Sequence, residues 1–132
     1  MTLHFVVPGK PQAWQRIDRG RYGQGYVPAE TLAFERDVWV CALKAGARQL
    51  MFEGRPAVLT VRSFLHPKVK KPRSPIAPLH AREGGDADNY GKCVMDGLKP
   101  LWIDDGQVID LIYQKRYGDP ERTEVTITDD IP

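Results

Sequence analysis

The chain has 132 residues, 42% of them apolar and 27% charged, with a formal net charge of +2. That size suits one domain, taken here as 1–132, and the composition excludes a disordered or fibrous chain. Cys41 and Cys93 are too few for a disulfide scaffold, and the sequence has no run of eighteen apolar residues that would make a transmembrane helix.

Thr2 to Val7 alternates, with Leu3, Phe5 and Val7 on one side, which predicts a strand ended by Pro8-Gly9. Met1-Thr2-Leu3-His4 lacks the basic start and apolar run of a signal peptide. A cytoplasmic, reduced setting is therefore expected, with both cysteines as buried free thiols. Lys10 to Pro28 is basic and glycine-rich and predicts a long loop. Glu30 to Arg48 predicts a helix with a stripe of Phe34, Val38, Cys41, Ala42 and Ala45. Ala57 to Leu65 is a second strand.

His66 to Gly85, with four prolines and five basic residues, has no period and predicts another loop. Asp88 to Leu98 predicts a second helix, with Tyr90, Val94 and Leu98 on one stripe and Asp88 able to cap its start. Gln107 to Tyr117 and Thr123 to Thr128 both alternate and flank a turn at Gly118-Asp119-Pro120, which suggests an antiparallel hairpin. The order β-loop-α-β-loop-α-β-β is α+β: a single domain with one mixed or antiparallel sheet and two main helices packed on it.

The charges are unevenly spread. Lys68 to Arg82 contains no acid, and Lys10 to Arg21 contains only Asp18, whereas acids gather between Asp86 and Asp110. A cationic surface around an anionic hole suits an enzyme that acts on a polyanion. Arg16, Arg19, Arg21, Lys70, Lys71, Arg73 and Arg82 are the candidate phosphate contacts. The other reading of such runs is a solvated loop.

Asp86-Ala87-Asp88-Asn89 stands where the second loop meets the second helix, and Asp104-Asp105-Gly106 where that helix hands over to the next strand. Hard divalent cations take several oxygen ligands, and a bound cation can activate water for phosphodiester hydrolysis. Such a site needs the start of the strand to fold back beside that second loop. Taken singly, each motif also reads as a turn or a helix cap. A calcium loop is disfavoured by Tyr90 and Gly97 at its fifth and twelfth positions. His4, His66 and His80 lack metal-ligand spacing.

Asp86-Ala87-Asp88-Asn89, Lys92, Asp96-Gly97-Leu98 and Trp102-Ile103-Asp104-Asp105-Gly106-Gln107-Val108 together resemble the signature of the RusA family of Holliday-junction resolvases. The likeness extends to the basic segment after Pro8-Gly9-Lys10-Pro11, to Tyr26-Val27-Pro28 with Thr31 and Glu35, and to Lys115. Gly84-Gly85 departs from the family pattern. The resemblance implies a homodimer that nicks two strands of a four-way DNA junction symmetrically with Mg²⁺ or Mn²⁺, in recombination and repair. It also implies a bacterial, phage or prophage origin. No membrane or small-molecule cofactor is expected.

It places the catalytic and metal-binding acids on Asp86, Asp88 and Asp105, and the functional lysine on Lys92. Lys92 lies one turn after Asp88, so an ordinary ion pair with Asp88 is its other reading. Asp104 is expected to face away from Asp105. A non-catalytic DNA-binding module, a nuclease for flaps or RNA, and a structural metal domain are the alternatives. Trp102 and the strand at 107–117 raise the question of a dimer surface.

Overall fold

The computed structural model describes residues 1–14, 18–19, 25–67 and 86–131. The main strands are β1 (Thr2–Pro8), β4 (Ala57–Leu65), β5 (Val108–Tyr117) and β6 (Arg122–Thr128). The helices are α1 (Ala29–Lys44) and α2 (Ala87–Gly97). Two two-residue strands, β2 (Asp18–Arg19) and β3 (Gly25–Tyr26), pair antiparallel inside the segment predicted to be all loop. Strands that short carry no readable alternation.

The expected α+β architecture is present: one mixed four-stranded sheet in the order β1-β6-β4-β5, with both helices packed on it. β1, β4 and β6 alternate between buried and open positions, as the sequence predicts. Leu3, Phe5, Val7, Leu59, Val61, Val125 and Ile127 fill the helix-covered side. α1 contributes Phe34, Val38 and Ala42; α2 contributes Cys93 and Val94, with Leu98 and Leu101 continuing its stripe. α1 ends four residues earlier than predicted. Gly46, at φ +107, closes it, with Ala47 N–H on the Ala42 carbonyl and Gly46 N–H on the Leu43 carbonyl. This paired arrangement satisfies carbonyls that the helix end leaves free. Ala45 is exposed and Cys41 half-buried, so the predicted stripe narrows there.

The predicted hairpin is absent. β5 runs parallel to β4, from Ala57 opposite Val108 to Leu65 opposite Tyr117. β6 lies on the other side of β4 and pairs antiparallel with both β4 and β1. The reason is burial: Val125 and Ile127 are wholly covered and need neighbours on both sides. β5 is one edge of the sheet and β1 the other. β4-α2-β5 is therefore a crossover unit, and α2 carries the chain back along the two parallel strands.

Hydrogen bonds fix the two ends of that unit. Trp14, in the segment that leaves β1, donates its N–H to the Asn89 carbonyl at 2.9 Å, beside the C-terminal ends of β4 and β5. At the other end Leu50 N–H reaches the Pro100 carbonyl and Gln107 Nε2 reaches the Arg55 carbonyl. Trp102 is buried there and stacks on Phe52 with ring centroids 5.5 Å apart, so it is a core residue and not a dimer surface. No helix among the described residues is long and apolar enough to cross a membrane.

Candidate nuclease site

Asp86 occupies the N-cap position of α2, a position expected for Asp88. Its backbone is extended and its carbonyl accepts from the Asn89 and Tyr90 N–H groups, while its side chain makes no capping bond. Asp86 is exposed. Asp88 is the second residue of the helix and also exposed. An acid in a first helical turn lies at the positive end of the helix dipole, which favours its charge. Two carboxylates thus stand together at the start of α2.

α2 is held tightly against β5. A Cβ on Gly91 would clash with the Tyr113 ring, so only glycine lets the helix lie this close. Burial first, then Asp96 and Asp88, pushes the Tyr113 phenol above its usual range. At the other end of the helix a Cβ on Gly97 would come 2.9 Å from the Glu35 carbonyl oxygen.

Lys92 does not follow the ion-pair reading. Its ammonium sits over the Trp14 ring, 3.7 Å from the centroid, and among the described residues it is in no ion pair. Sequence reasoning did not single out Trp14. The signal available was a large aromatic side chain in the basic, glycine-containing segment that follows β1.

Asp104 and Asp105 separate as expected. The Asp104 carboxylate accepts the Gly106 N–H at 2.9 Å, and the Gln107 side chain accepts the Ile103 and Asp104 N–H groups. Together they form a capping box on a short 3-10 turn over Asp105–Gln107. Asp104 is committed to that turn, and Asp105 is left exposed.

Asp105, however, lies at the opposite end of the crossover from Asp86 and Asp88. α2 alone spans about 16 Å at the usual helical rise, and it runs from the Leu65–Tyr117 end of the parallel pair to the Ala57–Val108 end. Among the described residues no three His, Cys, Asp or Glu side chains come close enough to share a metal. The strand start does not fold back beside the start of α2 within one chain, because the crossover separates the two motifs by the length of the helix.

Arg16, Arg21, Lys70, Lys71, Arg73 and Arg82 lie outside the described residues. Arg19 belongs to β2 through its backbone. In the sequence, Trp14 precedes the first of these segments, and the second ends just before Asp86. His4 bonds Thr126 on the helix-free face of the sheet, and the His66 ring bonds the Pro67 carbonyl. Cys93 is buried, and burial, with Glu35 and Asp96 nearby, raises its thiol to about 12. That thiol is unreactive at neutral pH.

The profile described as "Endodeoxyribonuclease RusA" matches residues 8–128. The chain belongs to the RusA endodeoxyribonuclease family. It is also similar to YqaN, an uncharacterised protein of Bacillus subtilis strain 168, with 31% identity over 137 aligned positions that cover 95% of this chain and 94% of the relative. The RusA match contains Asp86, Asp88, Lys92 and Asp105 and spans β4, α2, β5 and β6 complete.

Proposed function

We propose that this RusA-family protein is a divalent-metal-dependent endonuclease that resolves four-way DNA junctions, acting as a homodimer. The family match over residues 8–128 carries the reading. The two exposed carboxylates at the start of α2, with a lysine one turn further on, support it. The donors Asp86, Asp88 and Asp105 are all carboxylate oxygens, the set that Mg²⁺ or Mn²⁺ takes. One chain does not fit such an ion, because Asp105 is at the far end of the helix.

A second copy removes the conflict. β5 is an open edge whose Ile109, Leu111 and Ile112 are 52%, 51% and 43% exposed, with Ile103 nearby at 68%. An exposed apolar edge is a template for strand pairing. Antiparallel pairing of β5 with β5 of a second copy would set Asp105 of one chain beside the C-terminal end of the other β5, where that copy carries Asp86 and Asp88. Centred on Tyr113, the pairing sets Asp110 opposite Arg116 of the second copy, twice by symmetry. It also makes two sites, as paired nicks require. A cation bound there would supply an activated water and neutralise charge on the scissile phosphate. The Lys92 ammonium would lie against the phosphate, and the basic residues of 10–21 and 68–82 would contact the flanking strands.

Subunit mixing tests both halves of this reading. D88N and D105N are each expected to abolish cleavage of a synthetic four-way junction in Mg²⁺ while retaining binding. Co-refolded D88N and D105N chains should regain nicking, because one of the two sites in the mixed dimer is intact. A mixture as inactive as its parents would overturn the two-chain site. Full activity of D88N alone would overturn the catalytic assignment. Chelation with EDTA should stop the reaction, and Mg²⁺ should restore it.

A further inference from the structure

We propose that Trp14 is a positioning residue for Lys92, and that its indole face holds the lysine beside the acids without neutralising it. The proposal rests on the nuclease reading above for its kinetic consequence, but the contact itself can be read independently of activity.

Three observations converge on this pair. The Lys92 ammonium lies 3.7 Å from the Trp14 ring centroid. The Trp14 backbone N–H donates to the Asn89 carbonyl at 2.9 Å, which ties the segment leaving β1 to the first turns of α2. Pro11 is buried and the Trp14 side chain packs partly against the core, so the ring is fixed from both the backbone and the side-chain side.

The chemistry explains why an aromatic ring is used there. Lysine is a flexible point charge on a four-carbon stem. Asp88 is four residues earlier on the same helix face and is the obvious partner for it. An ion pair with Asp88 would tie up both charges: the acid would lose part of its capacity for a cation, and the ammonium part of its attraction for a phosphate. The face of an indole attracts a cation through its quadrupole and carries no net charge. It draws Lys92 away from Asp88 and fixes its direction. The N–H donors pointing away from the ring remain free for a phosphate oxygen.

The first readout is structural. With lysine side chains isotopically labelled in the intact protein, the Lys92 methylene resonances should be displaced upfield by the ring current of Trp14. The displacement should vanish in W14L and persist in W14F. Unshifted Lys92 resonances in the wild type would overturn the contact, whatever the enzyme does. The second readout is kinetic. W14L is expected to lower kcat on a four-way junction about five-fold with KM little changed, and W14F to recover most of the loss, on the scale of one exposed cation–π contact.

The decisive comparison is made in a K92Q background, under single-turnover conditions that follow slow cleavage. W14L should change nothing further there, because Trp14 acts through Lys92. The same five-fold loss in K92Q as in the wild type would show a merely structural tryptophan and refute the proposal. If the wild type cuts no junction, the nuclease reading fails while the resonance shift still tests the contact.

Discussion

β5 and β6 both read as alternating in sequence, yet burial alternates only in β6 and the two strands occupy opposite situations. In β6 the apolar residues are Val125 and Ile127, completely covered between β1 and β4. In β5 the apolar residues are Ile109, Leu111 and Ile112, about half exposed at the sheet edge, with Tyr113 tucked beneath α2 at Gly91. One strand completes the fold, and the other offers a surface. On the dimer reading proposed above, the difference separates residues that stabilise the monomer from residues that would serve assembly, and mutations can test that division in turn.

The largest effect is expected at Ile127. Removing its side chain from a filled core should cost about 3–4 kcal/mol, read as a drop of several degrees or more in Tm, whereas I112A should cost under about 1 kcal/mol. Equal losses at the two sites would break the comparison. Next is G91A, which drives a methyl group into the Tyr113 ring. A loss of about 1–3 kcal/mol in denaturant unfolding is expected, because the helix must lift from β5. L111K should leave the melting of the monomer within about 0.5 kcal/mol. In sedimentation it should shift a dimer to a monomer and remove cleavage with it. A dimer of unchanged stability would rule out the β5 edge.

The smallest effect concerns pH. The Tyr113 phenol is held above its ordinary value of about 10 by burial and then by Asp96 and Asp88. The folded chain therefore keeps that proton where the unfolded chain has lost it. Stability contributed by the neutral phenol is complete below the ordinary value and declines as pH rises through the raised one. Y113F should flatten this alkaline decline in urea titrations, and an unflattened curve would deny the buried position of Tyr113.

What could be read from the sequence follows from what periodicity records. Tyr90, Val94 and Leu98 recur at helical spacing, so the buried face of α2 was visible, as were the inward residues of β1, β4 and β6. Alternation reports which side of a sheet a residue faces but not which strand lies beside it. The neighbours of β5 and β6 were therefore misassigned as a hairpin, although a mixed sheet was within the expected architecture. That pairing also decides where Asp105 falls relative to Asp86. The acidic motif singles out Asp86, Asp88 and Asp105 as candidates, and only the parallel crossover shows that they stand a helix length apart. Trp14 was missed because a cation–π contact joins residues 14 and 92 with no spacing rule to mark it.

The central place of β6 also bears on how the protein is made. β1 and β4 do not touch each other as neighbouring strands; the gap between them is filled by residues 122–128. A chain that ends at Tyr117 holds the β4-α2-β5 crossover but has no strand to pair β1 with it. Closure of the sheet waits for the final strand to emerge, so nascent molecules halted before Thr128 should remain protease-sensitive however well their helices have formed.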